Sequence, residues 1–177
     1  MLKIAAIIVL IVIAVFAMVS YTELIPLNPE TYSGTMTTET VTGLLFDREI
    51  TIYPAKVQVA QGNGNEIGFS SDTGVIDFGL VPQGGVGNKF ISVANTRDKT
   101  IQVMILVKGL DLVKADSSSF TLKPGENRNV TMSANISDST PVGNYTGRID
   151  IFVAIPRADF LSAIFVTQTT STNIFGR

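Results

Sequence analysis

The amino-acid sequence predicts an all-β protein, an antiparallel β-sandwich preceded by one N-terminal hydrophobic helix. Residues 4–19 contain neither a charge nor a strongly polar side chain. Further along, short β-branched segments begin about 10 to 14 residues apart, which is the spacing of strands in an antiparallel sandwich. No segment after residue 30 shows a convincing helical period. A chain of 177 residues suffices for one such domain with a short appendage.

The composition argues against several classes of function. The net charge is −2, with 13 Lys and Arg against 15 Asp and Glu, so no basic surface for nucleic acid is expected. The sequence has no Cys and therefore no disulfide framework. It has no His, which removes the commonest general base and the usual zinc ligand. We expect a protein that is not an enzyme and binds neither a metal nor a small-molecule cofactor.

Residues 1–23 are predicted to be a transmembrane anchor or a signal segment. As a helix, the sixteen residues 4–19 cover about 24 Å, slightly less than a hydrocarbon core of about 30 Å unless flanking residues extend the span. In the alternative, Val15 and Ala17 supply the small-residue site of a cleaved secretory signal.

The distribution of positive charge predicts the orientation of this segment. Lys3 is the only basic side chain before Arg48. Positive flanks stay on the cytoplasmic side, so the remainder of the chain is exported in either case. We expect a protein held in the cell membrane by one helix with its domain outside, or secreted if the leader is cleaved.

Residues 24–43 carry two prolines and six Thr between positions 31 and 42. This composition favours extended backbone and predicts a tether that holds the domain off the membrane, or an edge strand. Residues 44–177 are then the extracytoplasmic sandwich, ending in a C-terminal strand or tail. Its strands are predicted at 48–53, 56–60, within 66–81, and at 91–93, 101–107, 120–122, 130–136 and 145–155.

The stretch NVTMSANIS (129–137) alternates apolar and polar residues. One parity is predicted to point into the core: Val130, Met132, Ala134 and Ile136. Asn129 and Asn135 then face solvent about 20 Å apart, at about 3.4 Å per residue. Both begin Asn-x-Ser/Thr acceptor triplets, and a third begins at Asn144 in the connection TPVGNYTG. These three asparagines are the candidate N-glycosylation sites.

Several short motifs occur in order within residues 66–155. They are DFG (77–79) before a P-x-G-G turn, ISVAN ending at Asn95, L-x-P-G-E after Phe120, and P-x-G-x-Y-x-G before the last strand. This series resembles the immunoglobulin-like superfamily of pilus-chaperone, major-sperm-protein and ASPM/SPD-2/hydin type modules. The resemblance implies an immunoglobulin-like sandwich. A single domain lacks the second domain and the cationic subunit-anchoring cleft of true pilus chaperones, so it does not imply chaperone activity.

Two of these motifs have a physical interpretation of their own. Pro124 and Gly125 suit a type II turn, because Gly accepts a positive φ at the third position. The Tyr145 ring is predicted to cap the core while its hydroxyl binds backbone at a corner.

The tail after residue 155 contains an apolar run at 160–166. We expect either a further strand of its own sheet or a strand supplied to a neighbouring subunit by β-augmentation. The candidate strand-exchange residues are Phe160, Leu161, Ile164, Phe165 and Val166.

The triplet Asp72-Thr-Gly resembles the signature of aspartic proteases, in which two carboxylates share one proton. It follows FSS rather than an apolar strand, which favours a turn. The glycine-rich pieces GNGNEIG and GGVG lack the spacings of dinucleotide and P-loop sites and are interpreted as hairpin turns. A surface hydrolase using Asp72 is the least favoured hypothesis.

The leading hypothesis is a non-enzymatic cell-envelope protein that connects the membrane to a surface layer or appendage. Its partners would be the membrane and other envelope proteins or copies of itself. The alternative is a subunit of a pilus-like surface filament assembled by strand exchange. In layout the chain resembles archaeal surface assemblies, including stator-like archaellum accessory proteins with one transmembrane helix and a β-sandwich.

Overall fold

The computed structural model describes residues 2–25, 34–62, 74–163 and 165. Over these residues the chain forms one long helix followed by strands and a short 3-10 turn. In chain order the elements are α1 (Leu2–Leu24), β1 (Thr37–Thr42), β2 (Phe46–Ala60), β3 (Ile76–Pro82), β4 (Val86–Ala94), β5 (Ile101–Lys108), β6 (Val113–Ala115), β7 (Ser119–Leu122), β8 (Asn127–Asn135), β9 (Gly143–Pro156) and the 3-10 turn (Asp159–Leu161).

The strands form two sheets that pack on each other, which confirms the predicted all-β sandwich preceded by an apolar helix. The larger sheet has the order β1-β2-β9-β5-β7, and β3 also pairs with β2. The smaller sheet has the order β4-β8-β6. The longest pairing joins β2 and β9 from one end of the sandwich to the other, beginning with Phe46 opposite Pro156.

The main core lies between the two sheets and takes inward-facing residues from strands of both. Side chains with at most 2 % exposure come from both sheets: Val57, Val59, Val103, Ile105 and Ile149 from the larger, and Val130, Met132 and Ala134 from the smaller. Fully burying an aliphatic side chain of this kind contributes about 1.5–3 kcal/mol. The inward parity predicted for the strand after Asn129 is confirmed, including Ile136 just beyond its end.

Strand β2 differs from the prediction because two expected strands are one continuous strand of 15 residues. One of its edges pairs with β1 along residues 47–52 and with β3 along residues 55–60. Pro54, which has no amide hydrogen, lies between these two lengths. The pairing of β2 with β3 is parallel, so the expectation of purely antiparallel neighbours is wrong for this pair.

The C-terminal segment differs as well. Residues Asp159–Leu161 form a 3-10 turn, and residues 162, 163 and 165 continue as helix. The expected further strand is therefore not formed here. The physical reason is the spacing of Leu161 and Phe165, which places both side chains on one face of a helical turn, where they are buried.

Candidate functional site at the joint of helix and sandwich

Helix α1 is longer than the uncharged run that predicts it. Its 23 residues span about 34 Å at about 1.5 Å per residue, because residues 20–24 continue the helix. Large apolar side chains along it are exposed, among them Leu10 at 66 % and Met18 at 70 %. In the part of the chain that the structure describes, this is the one helix long and apolar enough to cross a membrane. A signal sequence has the same length and composition.

The last turn of α1 is built into one end of the sandwich. Ser20 and Leu24 are buried, in contrast to the exposed residues before them. Leu24 belongs to a cluster that we call the base cluster: Leu24, Phe46, Ala154, Leu161 and Phe165. The rings of Phe46 and Phe165 lie 5.4 Å apart in a tilted arrangement. The base cluster therefore joins α1, the start of β2, the end of β9 and the C-terminal turn.

Glu23 fixes the helix to the turn between β1 and β2, residues 43–46, which we call the β1–β2 turn. Its carboxylate accepts hydrogen bonds from the backbone N–H of Leu44 at 2.5 Å, of Leu45 at 2.8 Å and of Phe46 at 2.9 Å. Hydrogen bonds to a charged acceptor are stronger than neutral ones. Three amides converging on one carboxylate therefore hold the helix end in a defined position on the sandwich.

Gly43 permits this close approach. A Cβ at this position would collide with the carbonyl oxygen of Phe46 and lie 2.9 Å from the carboxyl group of Glu23. Arg157 holds the same turn from the other side: its Nη1 donates to the Gly43 carbonyl at 2.9 Å, and its backbone N–H donates to the Leu45 carbonyl at 2.9 Å. The joint is thus a set of specific contacts.

These contacts change the interpretation of residues 24–43. Of the two alternatives predicted for this segment, a tether or an edge strand, the edge strand is formed over part of its length, and the chain returns at Gly43 to the end of α1. Within the segment, Thr37–Thr42 forms the edge strand β1, and residues 26–33 lie outside the described residues. The sandwich therefore contacts the end of α1 directly.

The candidate glycosylation sites occupy exposed positions. Asn129 and Asn135 lie on the outer face of the smaller sheet, opposite Ser92 and Val86 of β4, and both are exposed. Asn144 is exposed near the start of β9. Between the first two sites on this face lies Phe90, whose side chain is 73 % exposed. Modification at these asparagines stays a prediction.

The candidate strand-exchange residues do not form one surface. Phe160 is 70 % exposed, whereas Leu161 and Phe165 are buried in the base cluster. Ile164 and Val166 lie outside the described residues. A strand formed from this segment would first have to withdraw two side chains from the joint.

The buried carboxylate of Asp150 in β9 is held by two cations. Asp150, with no exposed side-chain surface, is ion-paired to Lys108 and to Arg148 at 3.2 Å each, which is a structural arrangement for a buried carboxylate. Within residues 2–25, 34–62, 74–163 and 165 there is no group of three Asp or Glu that could hold a metal ion. Asp72 lies outside the described residues.

Sequence reasoning named Leu161 and Phe165 for a different role and did not identify Glu23 or Gly43. Glu23 and Gly43 are twenty positions apart, and nothing in the spacing pairs them. The one available signal was a carboxylate at the end of an apolar helix, since such a charge requires hydrogen-bond donors.

Comparison with known proteins adds no family. A scan of the sequence against protein-family models finds no match, and a search of curated proteins finds no similar sequence. The class of protein is therefore defined by its geometry: a β-sandwich fixed to the end of one long apolar helix.

Proposed function

We propose that this chain is a non-enzymatic cell-envelope protein, in which α1 stays in the membrane and the sandwich connects it to a surface layer or appendage outside. The observation that carries the proposal is the position of Glu23 and Leu24, which belong both to α1 and to the base of the sandwich. A helix whose end is fixed in the folded domain favours a retained anchor.

Hydrogen bonding supports an immunoglobulin-like type for the sandwich. The Tyr145 hydroxyl donates to the Pro141 carbonyl at 2.7 Å, as predicted for a corner tyrosine. Gly125 has φ of 77°, and the Glu126 amide donates to the Lys123 carbonyl at 3.0 Å, as a type II turn requires. Two of the motifs that carry the resemblance therefore have a local geometry that supports the proposed type.

The external position of the sandwich is supported by two independent features. Lys3 lies in the first turn of α1, and the sequence that follows it contains no basic residue until Arg48. The three acceptor asparagines are all exposed, as glycosylation outside the cytoplasm requires.

An intact-mass measurement on protein purified from its native membrane tests the anchor. We expect a mass that includes residues 1–17, increased by glycans. A mass that corresponds to a chain beginning at Met18 would contradict retention of α1.

Photo-crosslinking in intact cells then tests the connecting role, with the crosslinker at Phe90 and, as the matched control, at Leu10 in α1. The proposal expects an envelope protein to be captured from Phe90 and not from Leu10.

The filament alternative has one observation in its favour. Over the described residues, β4 pairs with β8 along one edge, which leaves its other edge for an incoming strand. Phe160→Asp tests it without disturbing the core, and Val142→Asp is the matched control at another exposed apolar position. A strand-exchanging filament subunit should no longer form polymers with Phe160→Asp and should still form them with Val142→Asp. A connector forms no polymers as the unchanged protein or as either variant. If the protein is instead a hydrolase that uses Asp72, its hydrolytic activity should be lost in Asp72→Asn.

A further inference from the structure

The β1–β2 turn points back along α1. Its two leucines line one apolar cleft of about 320 Å³ together with side chains of the helix: Ile11, Val12, Val15, Phe16, Val19, Leu44 and Leu45. Val19 and Ile11 precede the end of the helix by five and thirteen residues. At about 1.5 Å per residue, the cleft therefore lies about 8 to 20 Å below Leu24.

Leu44 is 72 % exposed at the tip of this turn. Two further large apolar side chains are exposed at the same end of the sandwich, Ile25 directly after α1 and Phe160 beside the base cluster. Single exposed leucines are normal on a protein surface. Three such residues at the end of the sandwich that carries an exposed apolar helix are a larger apolar exposure than that.

Most backbone polar groups of the β1–β2 turn have partners within the protein. All four amides have partners: that of Gly43 donates to the Phe46 carbonyl, and those of residues 44–46 donate to Glu23. The carbonyls of Gly43 and Leu45 accept from Arg157. A turn in water does not need this, because water hydrates its polar groups, whereas a turn in lipid must find every partner internally.

We propose that the β1–β2 turn is inserted into the outer lipid layer beside α1, with Leu44 among the acyl chains and Ile25 and Phe160 at the interface. The occupant of the cleft is then a lipid chain, since the cleft continues the apolar surface of the helix. Glu23 fixes the turn at its depth in this arrangement. The three amides around Glu23 donate hydrogen bonds that offset the cost of placing its carboxylate near the lipid boundary. The inference rests on the proposal that α1 spans a membrane.

Single-Trp fluorescence tests this, because the sequence contains no Trp. Three full-length variants are reconstituted in phosphatidylcholine vesicles: Leu44→Trp at the turn, Val12→Trp in α1, and Val142→Trp, an exposed apolar position at the opposite end of the sandwich. Each is measured with brominated lipids, which quench within the bilayer, and with acrylamide in the aqueous phase.

We expect brominated lipid to quench Trp at positions 44 and 12 but not at 142, and acrylamide to quench most at 142. If Trp at position 12 is quenched by lipid while Trp at position 44 is quenched only by acrylamide, the insertion of the turn is wrong and the membrane anchor stands. If Trp at position 12 is not quenched by lipid, the anchor itself is wrong. Circular dichroism of each variant verifies that the sandwich is folded.

Discussion

Replacement of Glu23 by Ala perturbs the joint at its centre. The substitution removes the acceptor of three backbone amides. The amides of Leu45 and Phe46 are partly buried and lose their partner. At about 1 kcal/mol for each unsatisfied, partly buried amide, the local opening free energy falls by about 2 kcal/mol. Since about 1.4 kcal/mol corresponds to a factor of ten, opening becomes about 30-fold more frequent.

Amide hydrogen exchange of the full-length protein in detergent micelles measures this directly. We expect exchange at Leu45 and Phe46 to accelerate about 30-fold in Glu23→Ala, with the core strands unchanged. Glu39→Ala is the matched control, because it removes an exposed carboxylate from the neighbouring strand β1. Exchange at Leu45 and Phe46 that is unchanged in Glu23→Ala, or accelerated equally in Glu39→Ala, would refute the account of the joint.

Three further predictions concern the base cluster, the buried ion pairs and the exposed asparagines. Phe165→Ala should lower the free energy of unfolding by about 3 kcal/mol through a cavity in the base cluster, while the exposed neighbour Phe160→Ala should change it by less than about 0.5 kcal/mol in the same chemical denaturation. Asp150→Asn removes the carboxylate that two cations contact and should cost about 2 to 3 kcal/mol, against no measurable change for the exposed Asp111→Asn. An equal change in the free energy of unfolding for the buried and the exposed variant of either pair would contradict the burial described here. In a host with N-glycosylation, stepwise losses of mass are expected when each acceptor is replaced by Gln: Asn129, Asn135 and Asn144.

Residue parity explains why the sandwich was predictable. In the strand that follows Asn129, each apolar residue is followed by a polar one, and a strand with one buried face leaves no other register. The same rule did not predict that residues 48–53 and 56–60 form the single strand β2, because a Pro between two such segments indicates the end of a strand. The strand continues through Pro54 because this residue lies between the length of β2 that pairs with β1 and the length that pairs with β3.

The joint was not predictable because its contacts are distant in sequence. Glu23 meets amides 21 to 23 positions away, and backbone amides carry no signature in the sequence. The run at 160–166 was ambiguous for a different reason. Short apolar segments fit either a strand or a helical turn, and burial of Leu161 and Phe165 against Phe46 decides between them.

The claim on which the account depends is that helix and sandwich form one unit without a flexible tether. Since the chain contains no Cys, a double variant with Val12→Cys in α1 and Asp98→Cys on the sandwich can be spin-labelled at these two positions alone. Pulsed electron–electron double resonance in lipid vesicles then measures the distribution of distances between the labels. The account predicts one narrow distribution that broadens in Glu23→Ala, whereas a broad distribution in the otherwise unchanged protein would contradict it.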